Sequence, residues 1–157
     1  MTLLELLIVI GIIVVMVSMV FIATRGGWVD AGKKLTESTM LILDGALEDF
    51  RENNTDGVLF PRQDFLSGVV FSEDRVLHSA SLYVQLYQVP ESRKALERLD
   101  NTQVNFEKEF NKYPVFYDAW GTVMDYRYAA AGDSYPLIVS AGPDKTFGSN
   151  DDITNRK

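Results

Sequence analysis

The sequence predicts an α+β fold in which a long N-terminal helix packs on a small antiparallel β-meander, with short helices between them. Two changes of pattern support this. An apolar run of 24 residues is followed by an amphipathic segment of helical period, and past Tyr113 the pattern changes to short strands separated by turns. We expect residues 1–24 to form a transmembrane helix and residues 25–157 a globular domain that includes the second half of the long helix.

The apolar run contains a single charged residue, Glu5. As a helix, the stretch from Thr2 to Thr24 is roughly 33 Å long, about the thickness of the hydrocarbon core of a bilayer. A cleaved signal peptide is the alternative interpretation. Against it, no basic residues precede the run, the run is too long, and no small-residue cut site closes it. The sequence therefore favours a membrane-spanning helix.

Glu5 needs an explanation, because a carboxylate inside lipid costs several kcal/mol unless it is neutralised or paired. One explanation is that Glu5 lies close enough to the chain start to reach the lipid headgroups. The other is a cation within an assembly. If Met1 is the N-terminal residue, its α-amine is the obvious cation. A helix leaves limited room for a pair between residues 1 and 5 of one chain, so the amine of a neighbouring copy fits better.

The stretch TLLELLIVI, from Thr2 to Ile10, resembles the mature N-terminus of type IV pilins and type II secretion pseudopilins. In that family a prepilin peptidase removes a basic leader, the new N-terminus is usually methylated, and the fifth-position glutamate meets the N-terminal amine of the neighbouring subunit. The resemblance implies that residues 1–24 also serve polymerisation, with Met1 and Glu5 as assembly residues. The chain departs from the family pattern at Met1, where phenylalanine is commonest, and at Phe21-Ile22, where a proline is common.

Composition excludes several classes of function. The net charge is −7, and removing the charge of Glu5 leaves −6 on the residues from Arg25 onward, which disfavours nucleic acid as a partner. The chain has no cysteine, so disulfides, thiolate nucleophiles and cysteine-rich metal sites are excluded. Exported domains often use disulfides, and many type IV pilins close their C-terminal region with one. The absence of cysteine therefore directs attention to a metal ion as a substitute.

The long helix is expected to continue beyond the membrane. Arg25 and Trp28 suit a membrane boundary, and the Gly26-Gly27 step between them weakens the helix there. The helical pattern resumes from Val29 to Asn54. Its predicted apolar face consists of Leu35, Ile42, Leu43, Ala46, Leu47 and Phe50. Turn-forming residues from Asn53 to Gly57 should end the helix.

The middle of the chain, Val58 to Phe110, is expected to contain two short helices. They span Ser79 to Gln88 and Glu91 to Leu99, with Pro90 starting the second. The rest of this segment is predicted to be loop with a little extended structure, including Val69 to Phe71. His78 is the only histidine, and nothing nearby in the sequence supplies partners for a catalytic base or metal ligand. We therefore expect a surface or packing role for it.

Three short strands are predicted after Tyr113, at Val115–Tyr117, Val123–Tyr128 and Tyr135–Ser140. The turns between them are predicted at Asp118–Gly121 and Ala131–Asp133. Alternation places Met124, Tyr126 and Tyr128 on one face, so that one side of the meander packs on the helix and the other meets water. Trp120, beside a turn glycine, is expected to be a packing anchor rather than a ligand-stacking ring.

The C-terminal sequence SAGPDKTFGSNDDI, from Ser140 to Ile153, concentrates acidic side chains and turn glycines. Oxygen ligands on a flexible loop suit Ca²⁺, although the spacing is not that of an EF-hand. The alternative is a solvated acidic tail stabilised by Asx turns. From the residues alone, both interpretations stay open.

A second resemblance bears on this loop. The motifs Asp118-Ala-Trp-Gly121, Tyr126-Arg-Tyr128 and Ser-x-Gly-x-Asp…Asp-Ile together are similar to the C-terminal half of major pseudopilins of type II secretion. In those proteins the last loop binds calcium. The resemblance implies Asp144 and Asp152 as side-chain ligands and main-chain oxygens near residues 140–141 and 145–149. Asp151 is the ambiguous position, because either of the paired aspartates can turn inward.

The resemblance covers residues 1–56 and 114–153 and implies a subunit of a type II secretion pseudopilus. Its expected partners are copies of itself, other pseudopilins, an inner-membrane assembly platform and prepilin peptidase, with the domain in the periplasm. A surface type IV pilus subunit is the first alternative, and a membrane-tethered monomeric binding domain is the second. Carboxylate pairs such as Glu48 with Asp49 and Glu107 with Glu109 have no nucleophile beside them, so we expect no enzyme.

Overall fold

A computed structural model describes residues 3–66, 74–106, 113–128 and 135–156, and the side chains of residues 21–26 lie outside this description. Within these ranges the chain forms helices α1 to α3 and strands β1 to β5, which confirms the predicted α+β class. The chain divides into two compact units, Met1–Ala31 and Gly32–Lys157. The extended structure predicted at residues 69–71, the turn predicted at residues 131–133, and Glu107 and Glu109 lie outside the described residues.

Helix α1 spans Leu3–Asn53, and its backbone is helical through the Gly26-Gly27 step. The helix ends where the turn-forming residues begin. The amide of Asn54 still donates to the carbonyl of Phe50 over 2.8 Å, and Gly57 follows with a φ of 72°. A positive φ is a conformation that glycine adopts without steric cost, so the predicted helix end is confirmed.

The buried face of α1 in the second unit differs from the predicted one. Leu35 is 40% exposed, while the threonine after it is buried. Thr36 accepts a hydrogen bond from the amide of Ala119, and Thr39 accepts one from the amide of the Gln103 side chain. The hydroxyl of each threonine thus has a partner, and the buried face of the helix continues at three- and four-residue steps. The buried members are Thr36, Thr39, Met40, Leu43, Ala46, Leu47 and Phe50.

Two short helices follow, close to their predicted positions. Helix α2 spans Arg75–Gln88 and is capped by Asp74, whose carboxylate accepts from the amides of Val76 and Leu77. Helix α3 spans Pro90–Leu96, with proline at its first turn as predicted. The Ser92 hydroxyl donates to the carbonyl of Ala46 over 2.9 Å. This buried contact joins α3 to α1.

The strands form two antiparallel sheets rather than one. Strands β1 (Val104–Phe106) and β2 (Pro114–Phe116) pair with Asn105 opposite Val115. The second sheet has the order β3-β4-β5, with β3 at Asp125–Arg127, β4 at Leu137–Ser140 and β5 at Ile153–Thr154. Strands β1 and β5 were not predicted from the sequence. Tyr117 and Val123 make an isolated bridge across the Asp118–Gly121 turn, which links the two sheets.

The core lies between α1, α2 and the strands of the second unit. Met124, Tyr126 and Tyr128 are all buried, as the alternation predicts. The expectation that the other face of the strand meets water is wrong at Asp125, which is 2% exposed. Helix α2 covers it. The largest fully buried side chains of the cluster are Tyr126, Phe116, Leu43, Leu47, Leu82, Leu86, Met124 and Ile138.

Candidate functional site

Residues 3–20 of the first unit present an apolar surface that contains one charged side chain, Glu5. The 18 residues from Leu3 to Val20 have a mean hydropathy of 3.0 and none of them is buried. The hydroxyl of Ser18 donates to the carbonyl of Val14 within the helix over 2.7 Å, which satisfies this polar group without a second chain. By length and composition, this helix is long and apolar enough to cross a membrane.

Glu5 lies in the first turn of α1, inside this apolar surface. A negative charge there is favourably placed toward the positive end of the helix dipole. Met1 lies outside the described residues. The pairing of Glu5 with the amine of Met1 in a neighbouring copy therefore stays a prediction.

The candidate metal loop connects β4 to β5 and spans residues 141–152. Its path depends on three residues with positive φ: Gly142 at 65°, Lys145 at 60° and Gly148 at 87°. At the first of these, glycine is also required by space, because a Cβ on Gly142 would lie 2.3 Å from the carbonyl oxygen of Asp151. The two ends of the loop therefore meet at this glycine.

The three aspartates of the loop have different surroundings. Asp144 accepts the amide of Thr146 over 2.7 Å. Asp151 accepts the hydroxyl of Ser149 through one oxygen and the amide of Asp144 through the other, and the Ser149 hydrogen bond is the main cause that lowers the pKa of Asp151. Its carboxylate thus stabilises the loop itself.

The carboxylate of Asp152 is the group in the loop that most directly suggests a bound cation. Its Oδ2 accepts the amide of Gly148 over 2.7 Å. Its Oδ1 is buried and, among the described residues, has no hydrogen-bond partner. Because a buried carboxylate oxygen without a partner is costly, this atom fits the position of a cation ligand.

The loop offers oxygen donors, the ligand type that Ca²⁺ prefers. Within the described part of the chain, no three acidic or histidine side chains converge on one point. A cation held by Asp144 and Asp152 would therefore need main-chain carbonyls to complete its shell. The residues fit calcium in the chemistry of their donors, and the structure does not bring all three aspartates together as a side-chain cluster.

The Asp118–Gly121 turn holds the start of this loop. One oxygen of Asp118 accepts the amides of Trp120 and Thr122. The other accepts the hydroxyl of Ser140, which in turn accepts the amide of Gly142 over 3.1 Å. Hydrogen bonds thus join two of the sequence motifs that resemble pseudopilins, the Asp118–Gly121 turn and the loop that begins at Ser140.

Trp120 packs against α1 at a glycine. A Cβ on Gly32 would lie 2.9 Å from two carbon atoms of the indole ring. The ring therefore occupies space that only glycine leaves open. The predicted role of Trp120 as a packing anchor agrees with this contact.

His78 has a partner that sequence reasoning missed. Its Nδ1 lies 2.8 Å from Oδ1 of Asp125, and both side chains are buried. Arg127 donates to the other oxygen of Asp125 over 2.7 Å. Burial disfavours the ionised carboxylate, but the hydrogen bonds from His78 and Arg127 outweigh it and hold the pKa of Asp125 below its usual range. The two partners lie 47 residues apart, so no local pattern could have revealed them.

Comparison of the chain with family models, curated proteins and solved structures gave no match. The resemblance to pilin-like proteins consequently depends on the N-terminal motif and on the motifs around the C-terminal loop. The features of this chain that bear on function are the exposed apolar helix and the oxygen donors of the C-terminal loop.

Proposed function

We propose that this chain is the structural subunit of a pilin-like filament, of the type II secretion pseudopilus kind. The observation that carries the proposal is the exposed apolar surface from Leu3 to Val20, with Glu5 in its first turn. Exposed apolar side chains in this number need either lipid or other apolar helices around them. A filament subunit uses both environments in turn, first in the membrane and then in the assembly.

The position of Glu5 favours assembly over simple anchoring. Placing a carboxylate in lipid costs several kcal/mol of free energy. A helix that served only as an anchor would gain no compensating interaction. In an assembly, the N-terminal amine of the adjacent copy can neutralise it, and N-methylation leaves the amine cationic. The charge pair would then set the axial position of one subunit on the next, while the surrounding apolar residues pack together.

The proposal implies an order of processing, membrane insertion and assembly for the chain. Prepilin peptidase would expose Met1, and the helix would hold the subunit in the bacterial inner membrane with residues 25–157 in the periplasm. An assembly platform and other pseudopilins would then draw subunits into a helical homopolymer. The growing filament would act mechanically on proteins to be exported, and no catalytic step is assigned to the chain.

Calcium belongs to the proposal as a stabiliser of the C-terminal loop. Asp144 and Asp152 would supply carboxylate oxygens and the loop backbone would supply carbonyls. Bound calcium would neutralise the crowded acidic charges of the loop. In a chain without cysteine, it would take the place of a covalent closure of the C-terminal region.

Two other functions compete with this one. A surface type IV pilus subunit would use the same helix for a longer filament in adhesion, motility or DNA uptake. A membrane-tethered binding domain would use a surface such as the groove beside Tyr87, where Tyr83 stacks at 5.6 Å and Arg93 lies 4.4 Å from the ring centroid.

Electron microscopy of material sheared from cells that make the chain tests the proposal. Short filaments that depend on a secretion system support a pseudopilus, and long surface filaments made without it support a type IV pilus. A chain that stays monomeric in the membrane fraction under all conditions would leave the binding domain as the better interpretation.

A further inference from the structure

Arg75, in the first turn of α2, contacts two parts of the second unit that are distant in sequence. Its guanidinium carbon lies 4.3 Å from the ring centroid of Phe147 in the C-terminal loop. Its Nε lies 4.0 Å from Oδ2 of Asp125 in β3. One side chain of α2 therefore meets both the loop and the buried carboxylate.

Asp125 is a fixed anchor for that guanidinium. Its side chain is 2% exposed and is held by His78 on one oxygen and by Arg127 on the other. The side chain of Arg75 is about half exposed and has more freedom. The negative charge of this carboxylate attracts the guanidinium, which in the same position lies over the ring of Phe147.

A guanidinium within 6 Å of an aromatic ring centroid is attracted by the negative face of the ring. The distance at Phe147 is well inside this limit. The hydrogen bonds of the loop aspartates, by contrast, are made to the loop itself: Asp144 accepts from Thr146, Asp151 from Ser149 and Asp152 from Gly148. Those hydrogen bonds stabilise the conformation of the loop but do not connect it to α2.

We propose that Arg75 is a latch that holds the C-terminal loop against α2, with Phe147 as the loop side of the contact and Asp125 as the anchor. The latch requires neither calcium nor filament assembly, so it does not rest on the proposed function. It makes the position of the loop on α2 dependent on the side chain of Arg75.

Amide hydrogen exchange of the full chain in detergent micelles, with a calcium chelator present, tests the latch. The amides of Thr146 and Gly148, on either side of Phe147, donate to loop carboxylates, so we expect them to exchange faster when the loop separates from α2 and its turns open more often. Arg75→Gln should speed their exchange by about two- to fivefold, the size expected for one exposed cation–π contact. Unchanged exchange at both amides would overturn the proposal.

Arg127→Gln is the matched control, because it removes the nearer cation from Asp125 and leaves both residues of the contact between Arg75 and Phe147 in place. We expect a smaller acceleration in the loop than with Arg75→Gln. Equal acceleration in both variants would mean that the region around Asp125 loosens as a whole, which contradicts a latch.

Phe147→Leu tests the same contact from the loop side and keeps the test valid if Arg75→Gln does not fold. It should speed exchange at the same two amides to a similar extent. Combining the two substitutions should add nothing, because either one already removes the contact. Multiplying effects in the double variant would show two independent roles and would overturn the proposal.

Discussion

The hydroxyl of Ser140 donates to the carboxylate of Asp118 over 2.7 Å in the buried part of the second unit. Ser140 ends β4 and Asp118 begins the turn after β2. The same hydroxyl accepts the amide of Gly142, so the contact positions the start of the candidate calcium loop. A serine and an aspartate 22 residues apart thus connect the sheet to the loop.

Replacing this serine should destabilise the domain. Ser140→Ala leaves a buried oxygen of Asp118 and the amide of Gly142 without their partner, which costs about 1–3 kcal/mol. Urea unfolding of a soluble fragment of residues 25–157 measures the change. Ser38→Ala, at an exposed hydroxyl of α1 that donates to its own helix, is the control and should change stability by less than about 0.5 kcal/mol.

Two glycines of α1 should respond in opposite directions to the same substitution. Gly32→Ala places a methyl 2.9 Å from the ring of Trp120, and the overpacking should cost about 1–3 kcal/mol. Gly45→Ala meets open space and should stabilise the helix by about 1 kcal/mol. Unfolding curves of both variants test this, and a stabilised Gly32→Ala fragment would show that Trp120 does not pack there.

The buried Asp125 should make stability fall in acid. Its pKa in the folded chain is lowered. The ionised form of Asp125 therefore contributes stability above about pH 4, the pKa of an aspartate in the unfolded chain. This contribution is lost as the pH falls through the pKa in the folded chain. Asp125→Asn should cost about 3 kcal/mol at neutral pH and flatten the decline below about pH 4. Urea unfolding across this pH range measures both effects, with Asp56→Asn at an exposed position as the control. An unchanged acid profile in Asp125→Asn would assign the decline to other groups.

These predictions depend on contacts that the sequence revealed only in part. The helices were predictable because apolar residues recur at three- and four-residue steps and because Pro90 and Asn53–Gly57 mark boundaries. Strand β5 has two residues, too short to show alternation, and β1 is recognisable only from its pairing with β2. The burial of Thr36 in place of Leu35 depends on a partner amide at Ala119, which only the fold brings near.

The candidate site was predictable to a similar degree. Acidic residues and glycines marked the C-terminal loop, but not how each aspartate is used. Asp151 forms hydrogen bonds within the loop, whereas Asp152 keeps a buried oxygen without a partner among the described residues. The pairing of His78 with Asp125 was missed because the two residues lie on different elements and no motif joins them.

Calcium should stabilise the fragment, and the three aspartates should differ in this response. Binding to the folded loop alone raises stability by about 2.7 kcal/mol at a hundredfold excess over Kd. Asp144→Ala and Asp152→Ala should abolish the difference between melts in calcium and in chelator. Asp151→Ala should reduce it less but lower the melting temperature in chelator as well, because it breaks loop hydrogen bonds. Identical melts of the parent fragment in both conditions would mean that the loop is only a solvated acidic segment.

The yield of filaments from Glu5→Val, seen by electron microscopy of sheared material, tests whether subunits assemble through Glu5. The substitution makes the helix more apolar, so the chain should still enter the membrane fraction at the parent level, and the second unit should still fold. Filaments should disappear or fall sharply, because the charge pair between subunits is lost. Glu52→Val, at an exposed position near the end of the same helix, should leave the yield unchanged. Normal filaments from Glu5→Val would contradict assembly through Glu5.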